Sequence, residues 1–455
     1  MPNDIYGKII SENSFEKMTN KDTGLVGIRV DINSPLSIDT YEGEVFKRVV
    51  KSPRMDVCAS TILKVRNMGY VPIIFAHQGR MDPKTGPDES CISLESHADL
   101  LDGMLHGINI HFMDDPILTR NINDFIGFGP GDAVVLENTR MEFLDEEKTK
   151  VMEKTTDEGR KALAKVFDPI LDYYLVDAFP TSHRADTTMT PHFEDTPVLF
   201  GPEFISEYEK ISKLYHRLYS SQPLIFGFGG AKFDKLDNMR KILSRKNVIA
   251  FFGGIPAQLL LRACGLSLGK TNNEFLASRG GIEEAQELLK VMEQGASCYL
   301  PIDFTVKIGQ GKRSIRTVST YDAQKHDDCF ILDIGEHTVN YFINDVILSF
   351  ISTPVSEIIN HRMPEKRKFD WLFIQAGPFG KVDEYGLNTL PFLARLLKKE
   401  LNITVLGGDS AAYMKTSGFG EEIDLILSGG AALSYLATGK IKCIDEGPSF
   451  KKYFN

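Results

Sequence analysis

Short, continuously apolar runs recur along the chain at 26–31, 71–76, 108–112, 133–136 and 173–176. They recur again at 224–228, 248–252, 299–303, 330–334, 371–375, 403–406 and 423–427. Between them the apolar positions take helical spacing. Uninterrupted apolar strands joined through helices indicate parallel sheets covered on both faces, because a strand with one wet face would alternate instead. The expected fold is therefore α/β, with two doubly wound parallel-sheet domains of similar size at 1–200 and 201–437 and a closing segment at 438–455. The boundary is placed at Phe200-Gly201-Pro202. The helical, charged stretch at 203–218 comes next and is expected to form a hinge helix joining the two domains, with an active-site cleft between them. No long linker, low-complexity tract or internal repeat interrupts the pattern.

A chain of 455 residues is too long for one ordinary core, which supports the two-domain reading. Its net charge of −10 argues against nucleic acid or an anionic membrane as partner, since both need a broad basic surface. Any anionic ligand must then be held by a local basic cluster. The six cysteines are scattered without metal-type spacing, which suits a reducing cytoplasm. Met1-Pro2-Asn3-Asp4 lacks the basic flank and apolar core of a signal peptide, and no apolar run approaches about 18 residues. A cytoplasmic protein acting on small molecules is expected, as a monomer, with a dimer as the alternative.

In open parallel sheets ligands sit beyond the carboxyl ends of the strands, so the residues just after each strand carry the chemistry. The run at 26–31 leads into Asn33-Ser34-Pro35, and 71–76 ends in His77-Gln78-Gly79-Arg80. The run at 133–136 ends in Glu137-Asn138-Thr139-Arg140, and 173–176 in Asp177-Ala178-Phe179-Pro180-Thr181-Ser182-His183-Arg184. Arg54 adds another guanidinium at a helix start. Such forks grip phosphate and carboxylate in bidentate fashion, which suits a small phosphorylated acid; the competing assignment pairs the arginines with Glu137, Asp177 and Asp186.

The second half ends its strands in glycines and acids: Gly229-Gly230-Ala231-Lys232, Gly253-Gly254, Asp333-Ile334-Gly335, Gly377-Pro378-Phe379-Gly380, Gly407-Gly408-Asp409-Ser410 and Ser428-Gly429-Gly430. Turns without side chains expose backbone N–H groups at helix starts and admit phosphates, and an Asp there can hold Mg²⁺ through phosphate oxygens. Gly265-Leu266-Ser267-Leu268-Gly269-Lys270-Thr271 is one residue short of a P-loop and reads as a turn after a helix. The basic run at 362–368 reads as a solvated loop.

Taken together and in this order, these segments resemble the phosphoglycerate kinase family over nearly the whole chain. Arg29-Val30-Asp31-Ile32-Asn33-Ser34-Pro35, Arg54-Met55, His77-Gln78-Gly79-Arg80, Gly229-Gly230-Ala231-Lys232, Gly377-Pro378-Phe379-Gly380 and Gly407-Gly408-Asp409 carry most of the likeness. The resemblance implies transfer of phosphate between ATP or ADP and the carboxylate of 3-phosphoglycerate, with Mg²⁺ accompanying the nucleotide. It implies that Asp31, Asn33, Arg54, His77, Arg80, Arg140 and Arg184 bind the acid, Arg54 also stabilising the moving phosphoryl group. It assigns Gly229, Gly230, Lys232, Lys235, Gly253, Gly377, Pro378, Asp383, Gly408, Asp409 and Ser410 to the nucleotide, Lys232 also touching the moving group, Asp409 to the metal, and Gly429 and Gly430 to the transfer path.

Several positions depart from the family pattern. Pro180 stands where glycine is usual and Asp186 replaces a histidine. Ala376 replaces an asparagine, Ala431 shortens a triple glycine, and Asp383 is one methylene shorter than the usual glutamate. The N-terminal lead and the loop at 37–53 are longer. Two alternatives therefore stay open: the same chemistry on another phosphorylated carboxylic acid, and a non-catalytic ligand-binding relative.

Overall fold

The computed structural model describes residues 4–41, 44–82, 85–220, 224–230, 236–245, 248–309, 314–347, 372–380, 389–397, 401–407, 424–426 and 428–454. The chain divides into two compact units, Met1–Lys210 together with Lys440–Asn455, and Ile211–Gly439.

Unit 1 runs through α1 (Ile5–Glu12), β1 (Leu25–Val30), the hairpin β2 (Leu36–Tyr41) and β3 (Glu44–Val49), α2 (Pro53–Asn67), β4 (Val71–Phe75) and the two-residue strands β5 (Met81–Asp82) and β6 (Gly86–Pro87). It continues through α3 (Glu95–Met104), β7 (Asn109–Met113), β8 (Asp132–Leu136), α4 (Thr156–Phe167), β9 (Tyr173–Asp177) and β10 (Val198–Phe200), after which α5 (Pro202–Leu218) begins. Its main sheet has the order β10-β9-β1-β4-β8-β7, with every pair parallel. Ile28, Val30, Ile74, Val135 and Leu175 from the strands pack with Met55 and Ile62 of α2 and Leu101 of α3. Each such side chain contributes about 1.5–3 kcal/mol by leaving water.

Unit 2 runs through β11 (Leu224–Phe228), α6 (Leu236–Leu243), β12 (Val248–Phe252), α7 (Gly254–Ala263), α8 (Lys270–Arg279), α9 (Ile282–Glu293) and β13 (Ser297–Tyr299). Then come β14 (Asp303–Ile308), β15 (Ile315–Ser319), β16 (Cys329–Ile334), α10 (Glu336–Asn340), β17 (Leu372–Ala376), α11 (Thr389–Leu397), β18 (Asn402–Leu406), β19 (Asp424–Ile426) and α12 (Gly429–Thr438). The second six-stranded parallel sheet has the order β13-β12-β11-β17-β18-β19, so the winding direction reverses between β11 and β17. Ile225, Phe251, Phe373 and Val405 pack with Phe342, Phe392 and Leu396 in its core. Both sheets are the expected doubly wound α/β kind.

Three expectations need correction. The run at 299–303 is not a strand: β13 ends at Tyr299 and β14 begins at Asp303. Pro301 lies between them, and a residue without an N–H cannot continue a ladder. The run at 330–334 is a strand but not in the parallel sheet; it pairs antiparallel with β14, which also pairs antiparallel with β15, in a separate three-stranded sheet. The stretch read as a long loop at 37–53 is largely the hairpin β2–β3. It stands out of the core, with Ile38 and Val45 each 59% exposed, so burial left no continuous apolar run to read.

The N-terminal lead and the last segment meet within unit 1. Tyr6 donates to Asp445, the last residue of α13 (Lys442–Asp445), at 2.7 Å, Asn13 donates to the Tyr453 hydroxyl at 3.0 Å, and the rings of Phe200 and Phe450 stack 4.8 Å apart. The Cys443 N–H donates to the carbonyl of Ser182 at 3.0 Å, two residues before Arg184.

Candidate active site

Three polar side chains knit the carboxyl ends of β1, β4 and β8 together. Gln78 accepts from the Ser34 N–H at 2.8 Å and donates to the Ser34 carbonyl at 3.0 Å. Fully buried Asn138 donates to the carbonyls of Gln78 (2.9 Å) and Ile92 (2.8 Å) and accepts from the Arg140 N–H at 3.1 Å. Asn33 accepts from the Gly79 N–H at 3.1 Å. A loop braced this way holds its side chains on a rigid floor rather than letting them sample solvent.

On this floor Arg54 Nη1 lies 3.3 Å from Asp31 Oδ1 and donates to the Asn33 carbonyl at 2.5 Å. Arg140 is buried and donates to the Gly79 carbonyl. His77 is buried too, and burial first, then the charges of Arg29, Arg140, Arg184 and Arg54, push its pKa well below the ordinary histidine range. The imidazole is therefore neutral at physiological pH, and four guanidiniums act on one point. Arg80 stands apart: its side chain is exposed, and its backbone N–H donates to Asp88 at 3.1 Å.

The carboxylates that compete for these arginines are mostly engaged elsewhere. Asp177 accepts from Thr61 Oγ1 at 2.6 Å and from the Glu203 and Phe204 N–H groups at 2.8 and 3.0 Å, capping α5. Burial pushes its pKa up to about 6. Glu137 accepts the N–H groups of Asn138 and Leu94. Asp186 is the acid that remains in the cluster: it raises the Arg140 pKa against the lowering that burial causes, and one of its buried oxygens has no hydrogen-bond partner among the described residues.

Arg29 lies within one of the sequence motifs, yet sequence reasoning gave it no role. Its side chain is fully buried, 3.5 Å from the buried carboxylate of Glu153, with Nε donating to Thr188 Oγ1 at 2.7 Å and Nη2 lying 2.6 Å from His77 Nδ1. A lone charge inside Leu-Val-Gly-Ile-Arg-Val was the available signal, because a buried guanidinium must find partners.

In unit 2 the glycine turns close on one another. The Gly229 N–H donates to the Ala376 carbonyl at 3.1 Å and the Gly230 N–H to the Pro378 carbonyl at 2.6 Å. The Gly253, Gly254 and Ile255 N–H groups donate to the carbonyls of Phe228, Phe379 and Gly230. Pro256 has no N–H, and the Ala257 N–H returns to Gly253. The first turn of α7 thus spends its donors on protein carbonyls, which differs from the exposed anion cradle its glycines suggested. The glycines are there for close approach: at Gly377, with φ +90°, a Cβ would sit 2.6 Å from the Gly229 carbonyl oxygen.

The strand-end acids are caps as well. Asp333 accepts from the Thr389 N–H and hydroxyl, both at 3.2 Å, at the start of α11. Asp303 accepts from the N–H groups of His337 (3.1 Å) and Thr338 (2.7 Å) in α10. At α12, Gly429 lies where a Cβ would come within 2.7 Å of Gly407 Cα, and the buried Ser428 hydroxyl has no partner among the described residues. Lys232, Lys235, Asp383, Gly408, Asp409 and Ser410 lie outside the described residues, as does the run at 362–368. The near-P-loop is the turn before α8, its Lys270 N–H and Thr271 hydroxyl donating to Asp327.

Comparison with known proteins adds an independent line. A family model described as phosphoglycerate kinase matches residues 17–350. The phosphoglycerate kinase of Sulfurisphaera tokodaii is 26% identical over 426 residues, 92% of this chain and 91% of that one. The phosphoglycerate kinase of Thermoplasma acidophilum is 28% identical over 442 residues, 94% of this chain and 96% of that one. The fold is similar to the crystal structure of phosphoglycerate kinase from Pyrococcus horikoshii OT3, with a TM-score of 0.71 at 21% identity, covering 97% of this chain and 99% of that one.

Proposed function

Because the chain belongs to the phosphoglycerate kinase family, we propose that it moves a phosphoryl group between ATP or ADP and the carboxylate of 3-phosphoglycerate, holding the acid on unit 1 and the nucleotide on unit 2. The observation that carries the acid half is buried Arg29 lying 2.6 Å from buried His77, with Arg54 and Arg140 fixed on the Asn33 and Gly79 carbonyls beside it, and with the charges of these three and of exposed Arg184 all lowering the histidine pKa. Asp31 and Asn33 hold Arg54, and Arg80 adds an exposed guanidinium at the edge. Phosphoryl transfer asks mainly for alignment and for neutralising developing charge, so guanidiniums, a lysine and helix starts suffice and no nucleophilic side chain is required. Arg54 and Lys232 meet the moving group, and Gly429 and Gly430 at the start of α12 flank its path. The same reading assigns Gly229, Gly230, Lys235, Gly253, Gly377, Pro378, Asp383, Gly408, Asp409 and Ser410 to the nucleotide.

Mg²⁺ belongs to this reading as the nucleotide's companion, neutralising phosphate charge when bound. Among the described residues no three His, Cys, Asp or Glu side chains converge on a metal-sized site, and Asp303 and Asp333 are occupied as caps. The ion would come on the phosphates with Asp409 as its protein ligand, the usual manner for Mg²⁺.

The same reading places the protein in the cytoplasm as a monomer acting on small molecules. No helix among the described residues is long and apolar enough to cross a membrane, and a net charge of −10 disfavours polyanions. A second reading, the same transfer to another phosphorylated carboxylic acid, is favoured by Asp186 standing in the arginine cluster. Turnover of Mg-ATP with a panel of such acids, trapping the acyl phosphate, decides between them. A clear preference for 3-phosphoglycerate supports the first, a preference for another acid supports the second, and folded protein without turnover on any acid rejects both.

A further inference from the structure

Arg29 is the one charged residue of β1, and its guanidinium is held on several sides. Nε donates to Thr188 Oγ1 at 2.7 Å, Nη1 donates to the Val30 carbonyl, and Nη2 approaches His77 Nδ1 at 2.6 Å. Behind it, Glu153 lies 3.5 Å from Nη2 and accepts from the Thr188 N–H and hydroxyl at 3.1 and 2.5 Å. Arginine has donors and no acceptor, so Nδ1 of His77 must be the acceptor in this contact. A neutral imidazole whose Nδ1 lone pair is engaged carries its one proton on Nε2.

We propose that Arg29 is a positioning residue that fixes His77 as the neutral Nε2–H tautomer, so that this histidine offers the phosphorylated acid a hydrogen-bond donor and no charge. The substrate half of this rests on the acid-site reading above. The groups facing His77 agree with it: Arg29 on β1, Arg54 on α2, Arg140 after β8 and Arg184 after β9 are all cations. The acids nearby, Glu153 and Asp186, act on Arg29 and Arg140 instead. A second proton on His77 would break the Arg29 contact and add a buried positive charge beside four guanidiniums, two of them buried, which burial and those charges together oppose. Anion affinity is then supplied by the guanidiniums, while His77 contributes direction.

The test is a long-range ¹H–¹⁵N spectrum of the full chain, with His77 assigned by the disappearance of its signals in His77→Gln. The expected result is a pyrrole-type Nε2 and a pyridine-type Nδ1 that hold from about pH 8 to about pH 5, across the range where an ordinary histidine titrates. Adding 3-phosphoglycerate should shift Nε2 more than Nδ1. Arg29→Lys, which can still donate to Nδ1, should keep the pattern. Arg29→Met should lose it and weaken 3-phosphoglycerate binding about tenfold or more with Mg-ATP affinity unchanged. Because the ligand's own phosphate titrates near pH 6, affinities are compared between variants at one pH. A protonated Nδ1, or an imidazole titrating in the ordinary range, overturns the proposal, and the wild-type spectrum decides this even if Arg29→Met fails to fold. The expected tautomer with no response to 3-phosphoglycerate keeps the Arg29 assignment and overturns the acid-site reading instead.

Discussion

Arg54 and Asp31 are joined through a single guanidinium nitrogen: Nη1 lies 3.3 Å from Asp31 Oδ1 and donates to the Asn33 carbonyl at 2.5 Å. Both contacts fall on the same nitrogen, so among the described residues no hydrogen bond takes the Nε and Nη2 donors. The α2 start is thereby tied to the loop after β1, and the half-buried cation is aimed without being neutralised by a bidentate carboxylate.

If Arg54 meets the charge that develops during transfer, Arg54→Ala should lower turnover by about 10³-fold or more, the range seen when a phosphoryl-stabilising arginine is lost. The melting temperature should hardly move, because the side chain is partly exposed and the floor of Gln78 and Asn138 does not include it. Steady-state assays with and without the substitution, beside a thermal melt, check both halves.

Asp333 caps α11 through Thr389, so its role is structural. Asp333→Ala should cost about 0.5–2 kcal/mol, the usual range for a lost cap. The Mg²⁺ concentration giving half-maximal turnover should stay where it was. A large shift in that concentration would show the carboxylate serving the metal instead.

Gly377 combines φ +90° with a Cβ position 2.6 Å from the Gly229 carbonyl oxygen. The left-handed backbone alone costs a residue with a side chain about 1–2 kcal/mol, and the clash adds to it. Gly377→Ala should therefore lower the unfolding free energy by at least about 2 kcal/mol in a urea titration, whereas Gly265→Ala, with open space around it but φ +89°, should cost only the backbone share.

His97 is buried on α3, its Nε2 3.2 Å from both the Ile32 carbonyl and Gln78 Oε1, and burial lowers its pKa to about 4. Between about pH 6.5 and 4 the unfolded chain binds this proton and the folded one does not, so the stability His97 contributes is complete above about 6.5 and lost as pH falls towards 4. The loss is on the order of 3 kcal/mol. Denaturant midpoints measured across that window should fall with acid, and His97→Gln should flatten the slope whatever it does to stability at neutral pH.

Most strands of both main sheets were legible because burial on two faces demands unbroken apolar runs, as in β4, β11 and β12, each buried along its whole length, whereas three-residue β10 was missed and β13 was misplaced at 299–303. The arginines after β4, β8 and β9 were legible too, since parallel strands must deliver their carboxyl ends to one edge. Hairpin β2–β3 was not, because strands lying out of the core carry no such demand.

The amino-acid order by itself determined most of the segments that become core strands and the chemistry that arrives at their ends. Tertiary structure alone decided how that chemistry is used. Asp303 and Asp333 became caps, the unit 2 glycines turned their N–H groups on the carbonyls of Ala376, Pro378, Phe228 and Phe379, and Arg29 found Glu153, Thr188 and His77. The reason is physical: apolar burial depends on a residue's own type and its near neighbours. A hydrogen bond depends instead on which partner the fold carries to within about 3 Å, and the Arg29 guanidinium meets partners 48 and 159 positions away.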